Sequence, residues 1–276
     1  MDGGIDIRMK RIFSAKDNRA LCIACDHGLM TDPNKSWLQI SEVISGAVQE
    51  KADGLLLSSG QISRFVSTYG RGCMPAFIVR TDWTNLLRFR ENPDDKSKLL
   101  PVDHMEYRRL ITAREVLYRY GGAAAIGFLF VDPDGKMESL TIKASRELIE
   151  ECHEIGLPCI IEALPLTIGN PDTDPAELLR RGVQTALELG AEAIKMPLTD
   201  DIQYLVSTIH QAGKWVFVLG GGNLADENVF IGLMQQALSS GVDGLLVGRN
   251  VSQSQDPARL IHKLHSIVHP ENKSVL

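Results

Sequence analysis

Short apolar runs alternate with longer amphipathic stretches along the whole chain. The runs fall at residues 20–25, 54–57, 76–79, 123–130, 158–162, 193–198, 215–219 and 244–247. They are continuously apolar rather than alternating, as expected of strands buried on both faces in a parallel sheet. Between them, the helical period predicts helices over 37–49, 61–69, 103–120, 139–155, 174–189, 200–211, 226–238 and 256–268. Gly156 supplies a stop signal for the helix before it. A short extra helix over 5–13 precedes the first strand. The polar stretch 88–98, rich in Asp, Asn and Lys, interrupts the alternation and is expected to be a mobile loop.

Eight strands and eight helices in strict alternation predict the α/β class, as a single (β/α)8 TIM barrel spanning 1–276. The extra helix is expected to cap the bottom of that barrel. An open doubly wound sheet normally carries a glycine-rich fingerprint after its first strand. Here that position reads Asp26-His27-Gly28.

Composition adds limits. Apolar residues make up 44% and charged residues 23%, so a sizeable core and a polar surface are both expected. The net charge is −6 with no basic block, which argues against nucleic acid as a partner. The apolar runs are too short to span a bilayer, and the N-terminus carries no apolar signal region. Of five cysteines, Cys22, Cys25, Cys152 and Cys159 lie in or beside apolar segments. They are expected to be reduced core thiols in a cytoplasmic protein. Cys22 and Cys25 share a strand rather than a helix N-terminus, so the pair lacks the usual redox activation.

Candidate chemistry collects at the strand ends, where barrels of this type place it. Those ends carry Asp26-His27, Ser58-Ser59, Arg80 to Trp83, Asp132, Glu162, Lys195, Gly220 to Gly222 and Gly248 to Asn250. Lys195 is the only charged residue in 193–198. Desolvation of such a lysine favours the neutral amine a nucleophile needs, although a strand-end lysine also snorkels to solvent. Gly220, Gly221, Gly222 and Gly248 follow strands seven and eight, where backbone N–H groups approach an anion closely and a helix N-terminus favours it. Arg249 adds a charge-assisted contact to a phosphate, or pairs with a carboxylate.

Ala24-Cys25-Asp26-His27-Gly28, Ile194-Lys195-Met196-Pro197, Gly220-Gly221-Gly222 and the run from Gly244 to Asn250 occur in that order. Together they resemble the class I aldolase superfamily. That superfamily holds archaeal-type fructose-bisphosphate aldolases, tagatose-bisphosphate and sulfofructose-phosphate aldolases, and the thiolase acting on phosphorylated autoinducer-2. The likeness runs from about Arg11 to Val268. It implies a Schiff-base lysine at Lys195, Asp26 beside the substrate hydroxyls, and phosphate binding at Gly220, Gly221, Gly248 and Arg249. Archaeal-type fructose-bisphosphate aldolases carry a catalytic tyrosine just before a proline after strand five; here that position is Leu164, before Pro165. Glu162 instead resembles the glutamate that ends this strand in tagatose-bisphosphate and sulfofructose-phosphate aldolases.

These residues predict a lyase acting on a phosphorylated ketose through an enzyme-bound imine, with no metal and no cofactor. Asp26 or Glu162 is the base for the C4 hydroxyl. Glu162, beside Ile160, Ile161 and Ala163, is expected to have a raised pKa. His27 orients Asp26, binds a substrate hydroxyl, or is a satisfied polar residue. Ser58, Asp82 and Trp83 are candidate selectivity contacts. A small phosphorylated sugar is the expected partner, without nucleic acid or membrane, in a homo-oligomer. Two rivals stand beside this: an acyltransferase (thiolase) or amino-sugar synthase on the same scaffold, and a non-catalytic sugar-phosphate-binding barrel.

Overall fold

The computed structural model describes residues 3–30, 37–69, 74–85, 89–91, 99–101, 105–132, 135–166, 173–222, 224 and 226–270. Eight parallel strands close into a barrel. They are β1 Ala20–Ala24, β2 Gly54–Leu57, β3 Ala76–Arg80, β4 Ala124–Val131, β5 Cys159–Pro165, β6 Ala193–Pro197, β7 Trp215–Leu219 and β8 Gly244–Val247. Each pairs with its sequence neighbours, and β8 returns to β1 through Ala20–Gly244 to Ile23–Val247. The (β/α)8 expectation holds.

The period of two within each strand sorts side chains between two cores. Ala20, Cys22, Ala24, Ala76, Ile78, Ala124, Ile126, Ile160, Ala193, Phe217 and Leu246 fill the barrel interior. Their alternates, among them Leu21, Ile23, Val79, Ile161, Ile194 and Val218, face the surrounding helices. Helix α1, Gly3–Ile12, closes the bottom of the barrel as expected. Its Met9 and Ile12 join the interior cluster, and the following Phe13 stacks on Trp215 at 4.2 Å and on Phe217 at 5.1 Å.

One device recurs three times at the bottom, where strands begin. Asp53, Glu192 and Asp243 each stand one residue before a strand. Their backbones accept and donate across the seam, with Asp53 N–H to Leu21 O, Glu192 N–H to Cys159 O and Asp243 N–H to Val216 O. Each carboxylate then accepts the N–H of that same partner, Leu21 at 2.7 Å, Cys159 at 2.9 Å and Val216 at 2.8 Å. A histidine seals each: His269 on Asp53 at 2.9 Å, His153 on Glu192 at 2.9 Å and His210 on Asp243 at 3.0 Å. His269 also reaches Asp17 at 2.7 Å.

One expectation needs correction. The helix over 103–120 is not formed as such. Tyr107–Arg109 instead pairs antiparallel with Asp82–Thr84, and winding starts only at Ala113. Thr112 and Glu115 explain the late start. Glu115 accepts from the Thr112 N–H at 3.0 Å and Thr112 Oγ1 from the Glu115 N–H at 3.3 Å, a reciprocal capping box. Most of the polar stretch 88–98, expected to be a mobile loop, lies outside the described residues; its Phe89–Glu91 pairs antiparallel with Leu99–Pro101. Cys22, Cys25, Cys152 and Cys159 are buried and free, as expected. Among the described residues, no helix is long and apolar enough to cross a membrane.

Candidate active site

The interior parity of the strands continues upward into charge. On β3 the sequence 76, 78, 80 brings Arg80 inside; on β5, Ile160 is followed by Glu162; on β6, Ala193 by Lys195. Glu162 and Lys195 are partners in the β5/β6 register, so both side chains leave the same face. Lys195 Nζ lies 2.7 Å from Glu162 Oε1. Asp26 stands just past β1 at the same parity, on the 3-10 turn Asp26–Leu29.

Arg80 ties these groups together. Its Nε donates to Asp26 Oδ2 at 2.7 Å and its Nη1 to Asp82 Oδ1 at 3.4 Å. Its Nη2 donates to Glu162 Oε2. The guanidinium carbon lies 4.0 Å from the centre of the Phe128 ring. Three carboxylates and two cations therefore share a space in which no side chain is more than 7% exposed. Burial of this kind persists only where each charge is paired.

The pairing reverses the expected behaviour of Glu162. Burial alone raises its pKa, but the charges of Lys195 and Arg80 and their hydrogen bonds outweigh it and hold the group at about 2. Glu162 is thus an ionised carboxylate, not a neutral acid. Burial acts on Arg80 too, yet Glu162, Asp26 and Asp82 keep it cationic and raise its pKa. Asp82 goes the other way: burial raises its pKa despite Arg80, the Phe128 N–H at 2.6 Å and the Tyr107 hydroxyl at 3.0 Å. For His27, burial lowers the pKa, and Lys195 and Arg249 add to that against Asp26 and Glu162.

These groups line a cavity of about 240 Å³ at the C-terminal mouth. Its lining includes Asp26, His27, Arg80, Glu162 and Lys195 together with Gly220, Gly221, Gly248 and Arg249. Met30, Phe128, Leu164 and Leu166 form an apolar wall. Gly248 is fixed by packing: a Cβ there would lie 2.0 Å from His27 Cε1 and 2.7 Å from Ala24 O. Gly221 has φ +69°, a left-handed conformation that favours glycine. The buried Asn250 shapes this loop. Its Nδ2 donates to Gly220 O and Gly222 O, both at 2.9 Å, and its Oδ1 accepts from the Leu224 N–H at 2.9 Å. The helix Arg249–Ser252 opens directly after Gly248, whereas the helix that follows Gly220–Gly222, Glu227–Ser239, begins later and is capped by Asp226, which accepts from the Asn228 N–H at 2.8 Å.

Four expected contacts do not line the cavity. Ser58 instead opens the helix Ser59–Tyr69, exchanging hydrogen bonds with Gln61. Asp82 is wholly enclosed as the anchor of Arg80. Trp83 packs against the cluster of Met30, Phe128, Phe130, Met137 and Leu166. Gly222 borders an adjoining hollow with Thr199 and Asp200. Sequence reading named Arg80 and Asn250 only as strand-end residues. The parity that turns Arg80 inward was a signal that could have singled it out. Among the described residues, no three His, Cys, Asp or Glu side chains gather as metal ligands.

A family model described as DeoC/LacD family aldolase matches residues 20–254. The chain is 26% identical to an uncharacterized aldolase of Saccharolobus solfataricus, over 99% of this chain and 96% of that one. It is 27% identical to 2-amino-3,7-dideoxy-D-threo-hept-6-ulosonate synthase 1 of Archaeoglobus fulgidus, over 95% and 90%. The fold matches a crystal structure of an archaeal fructose-1,6-bisphosphate aldolase whose catalytic lysine is bound to a carbinolamine intermediate. There the TM-score is 0.75 and the identity 20%, over 96% of this chain and 99% of that one.

Proposed function

Because this chain belongs to the DeoC/LacD aldolase family, we propose that it makes or breaks a carbon–carbon bond of a phosphorylated ketose through an imine on Lys195. The observation that carries this reading is the buried Lys195–Glu162 contact of 2.7 Å in a cavity that Arg249 and Gly221 also line. A phosphate on Arg249 and the loop N–H groups leaves the carbonyl of a short ketose to meet Nζ.

The Lys195 ammonium passes one proton to the nearest acceptor, Glu162 Oε1, and the resulting amine attacks that carbonyl, a second N–H proton moving to the alkoxide to give the carbinolamine. A carboxylate held at about 2 keeps a proton only briefly, so Glu162 acts as a relay and returns it to the departing carbinolamine hydroxyl. The iminium then carries positive charge at the atom Glu162 already faces, and fixed opposite charge there lowers the barrier. Asp26 takes the C4 hydroxyl proton, the C3–C4 bond breaks, and its electrons move into the iminium to give an enamine. Glu162, Asp26 and Asp82 outnumber Arg80 and Lys195 by one charge, which suits a cationic intermediate.

A second reading, condensation by a synthase through the same imine, is favoured by the Archaeoglobus fulgidus relative. Product analysis with phosphorylated ketoses and diketones separates the two. The primary experiment is borohydride reduction against a panel of ketose phosphates, read by intact mass and peptide mapping. One ligand mass on Lys195 is expected. No adduct, or an adduct on another lysine, overturns the imine.

A further inference from the structure

An arginine in a cavity built for a sugar phosphate invites assignment as a phosphate ligand. The surroundings of Arg80 exclude that role. Nε, Nη1 and Nη2 each face a carboxylate, from Asp26, Asp82 and Glu162, and Phe128 covers one face of the guanidinium. A phosphate placed there would meet three negative charges at contact distance. Among the described residues Arg249 forms no ion pair with a carboxylate, and it lines the cavity together with Gly220, Gly221 and Gly248.

We propose instead that Arg80 is the positioning residue of this site: it holds Asp26 by Oδ2 and Glu162 by Oε2, so that Asp26 Oδ1 and Glu162 Oε1 are the oxygens that work on the substrate. This rests on the imine reading above. The hold begins outside the cavity. The Tyr107 hydroxyl and the Phe128 N–H fix Asp82 Oδ2, and Asp82 Oδ1 meets Nη1. From there the planar fork reaches β1 and β5 at once, and Glu162 passes the constraint to Lys195. Each carboxylate thereby gives one oxygen to the scaffold and keeps the other for chemistry. Lysine cannot reproduce this, because one ammonium cannot meet three carboxylates in the fixed directions of a guanidinium.

Arg80→Lys therefore separates charge from position, and Arg80→Met removes both. In each, kcat with a ketose phosphate should fall by about 100-fold or more, the scale of a roughly 1 Å misplacement. KM should change little, because the phosphate side is untouched. Arg80 and Lys195 contact Glu162, and Asp82 and His27 also act on it through charge; of these only Arg80 is altered, so the acid limb of adduct formation should move to higher pH in Arg80→Met and less in Arg80→Lys. Should Arg80→Met fail to fold, Asp82→Asn loosens the anchor from outside the cavity and should lower kcat at constant KM. Wild-type kcat in Arg80→Lys overturns the proposal, as does a raised KM at unchanged kcat, which marks a phosphate ligand. If wild type traps no ketose phosphate on Lys195, the imine reading fails separately. The hold is then judged by carboxylate 13C NMR: Glu162 should titrate at higher pH in Arg80→Met than in wild type, and equal titration overturns it.

Discussion

Glu162→Gln offers a test in which the magnitude comes from the site itself. Glutamine copies the shape of the protonated carboxyl, so the difference between the two proteins reports the ionised form. The folded-state pKa is depressed from 4.5 to about 2. A depressed acid contributes stability that is fully present above its unfolded value and is lost as pH falls through the folded one. A shift of that size corresponds to about 3 kcal/mol at pH 7. At pH 3.5 the same linkage leaves a gap of about 2 kcal/mol between wild type and Glu162→Gln. Urea unfolding at pH 7, 5, 4 and 3.5, followed by circular dichroism and tryptophan fluorescence, measures the gap directly. A gap that stays constant or widens towards pH 3.5 would mean that Glu162 is not held ionised by Lys195 and Arg80. The same variant should slow turnover by roughly 100-fold or more, the usual scale for a lost proton-transfer group.

Lys195→Arg should fold, bind a phosphorylated ligand, and show neither borohydride adduct nor turnover; surviving turnover would remove the imine. Arg249→Ala should raise KM for a phosphorylated substrate, by about 1.5–3 kcal/mol for a lost charge-assisted contact, and leave its unphosphorylated analogue nearly unchanged. Equal effects on both substrates would make Arg249 structural. At the bottom, burial lowers the pKa of His269, but its bonds and attraction to Asp53 and Asp17 outweigh that and raise it. A raised histidine contributes stability fully present below its unfolded value of 6.5 and lost as pH rises through the folded value. His269→Gln should therefore cost stability at pH 6 and progressively less as the solution becomes alkaline, with kcat/KM unaffected. A gap that grows with pH would refute the clasp.

The barrel was legible because each of its strands is an uninterrupted apolar run. The same feature hid which side chains enter the barrel, since a strand apolar on both faces shows no alternation. Lys195 stood out as a lone charge, whereas Arg80 lay at the edge of a polar segment and looked like a strand terminus. The expectation for Glu162 went wrong for a related reason. Its sequence neighbours are apolar, but its spatial neighbours are Lys195 from β6 and Arg80 from β3, and charge decides over burial. The helix over 103–120 failed because pairing with Asp82–Thr84 and a Thr112–Glu115 capping box both outrank helical periodicity. The glycines after β7 and β8 were readable from their position alone, but the role of Asn250 needed coordinates, because its partners are backbone groups of another loop.

The histidine seals bear on how the chain is made. Asp17 and Asp53 leave the ribosome early, while β8 and His269 come after every other barrel element. Until then β1 and β7 each lack a neighbour, and open strand edges are where partly made sheets associate wrongly. The clasp of His269 across Asp17 and Asp53 fastens the turn after the helix Pro257–Val268 to the segments that lead into β1 and β2. The acidic pair and the histidine that joins it are thus separated by more than two hundred residues of sequence, and the contact forms only when the strands between them have been made.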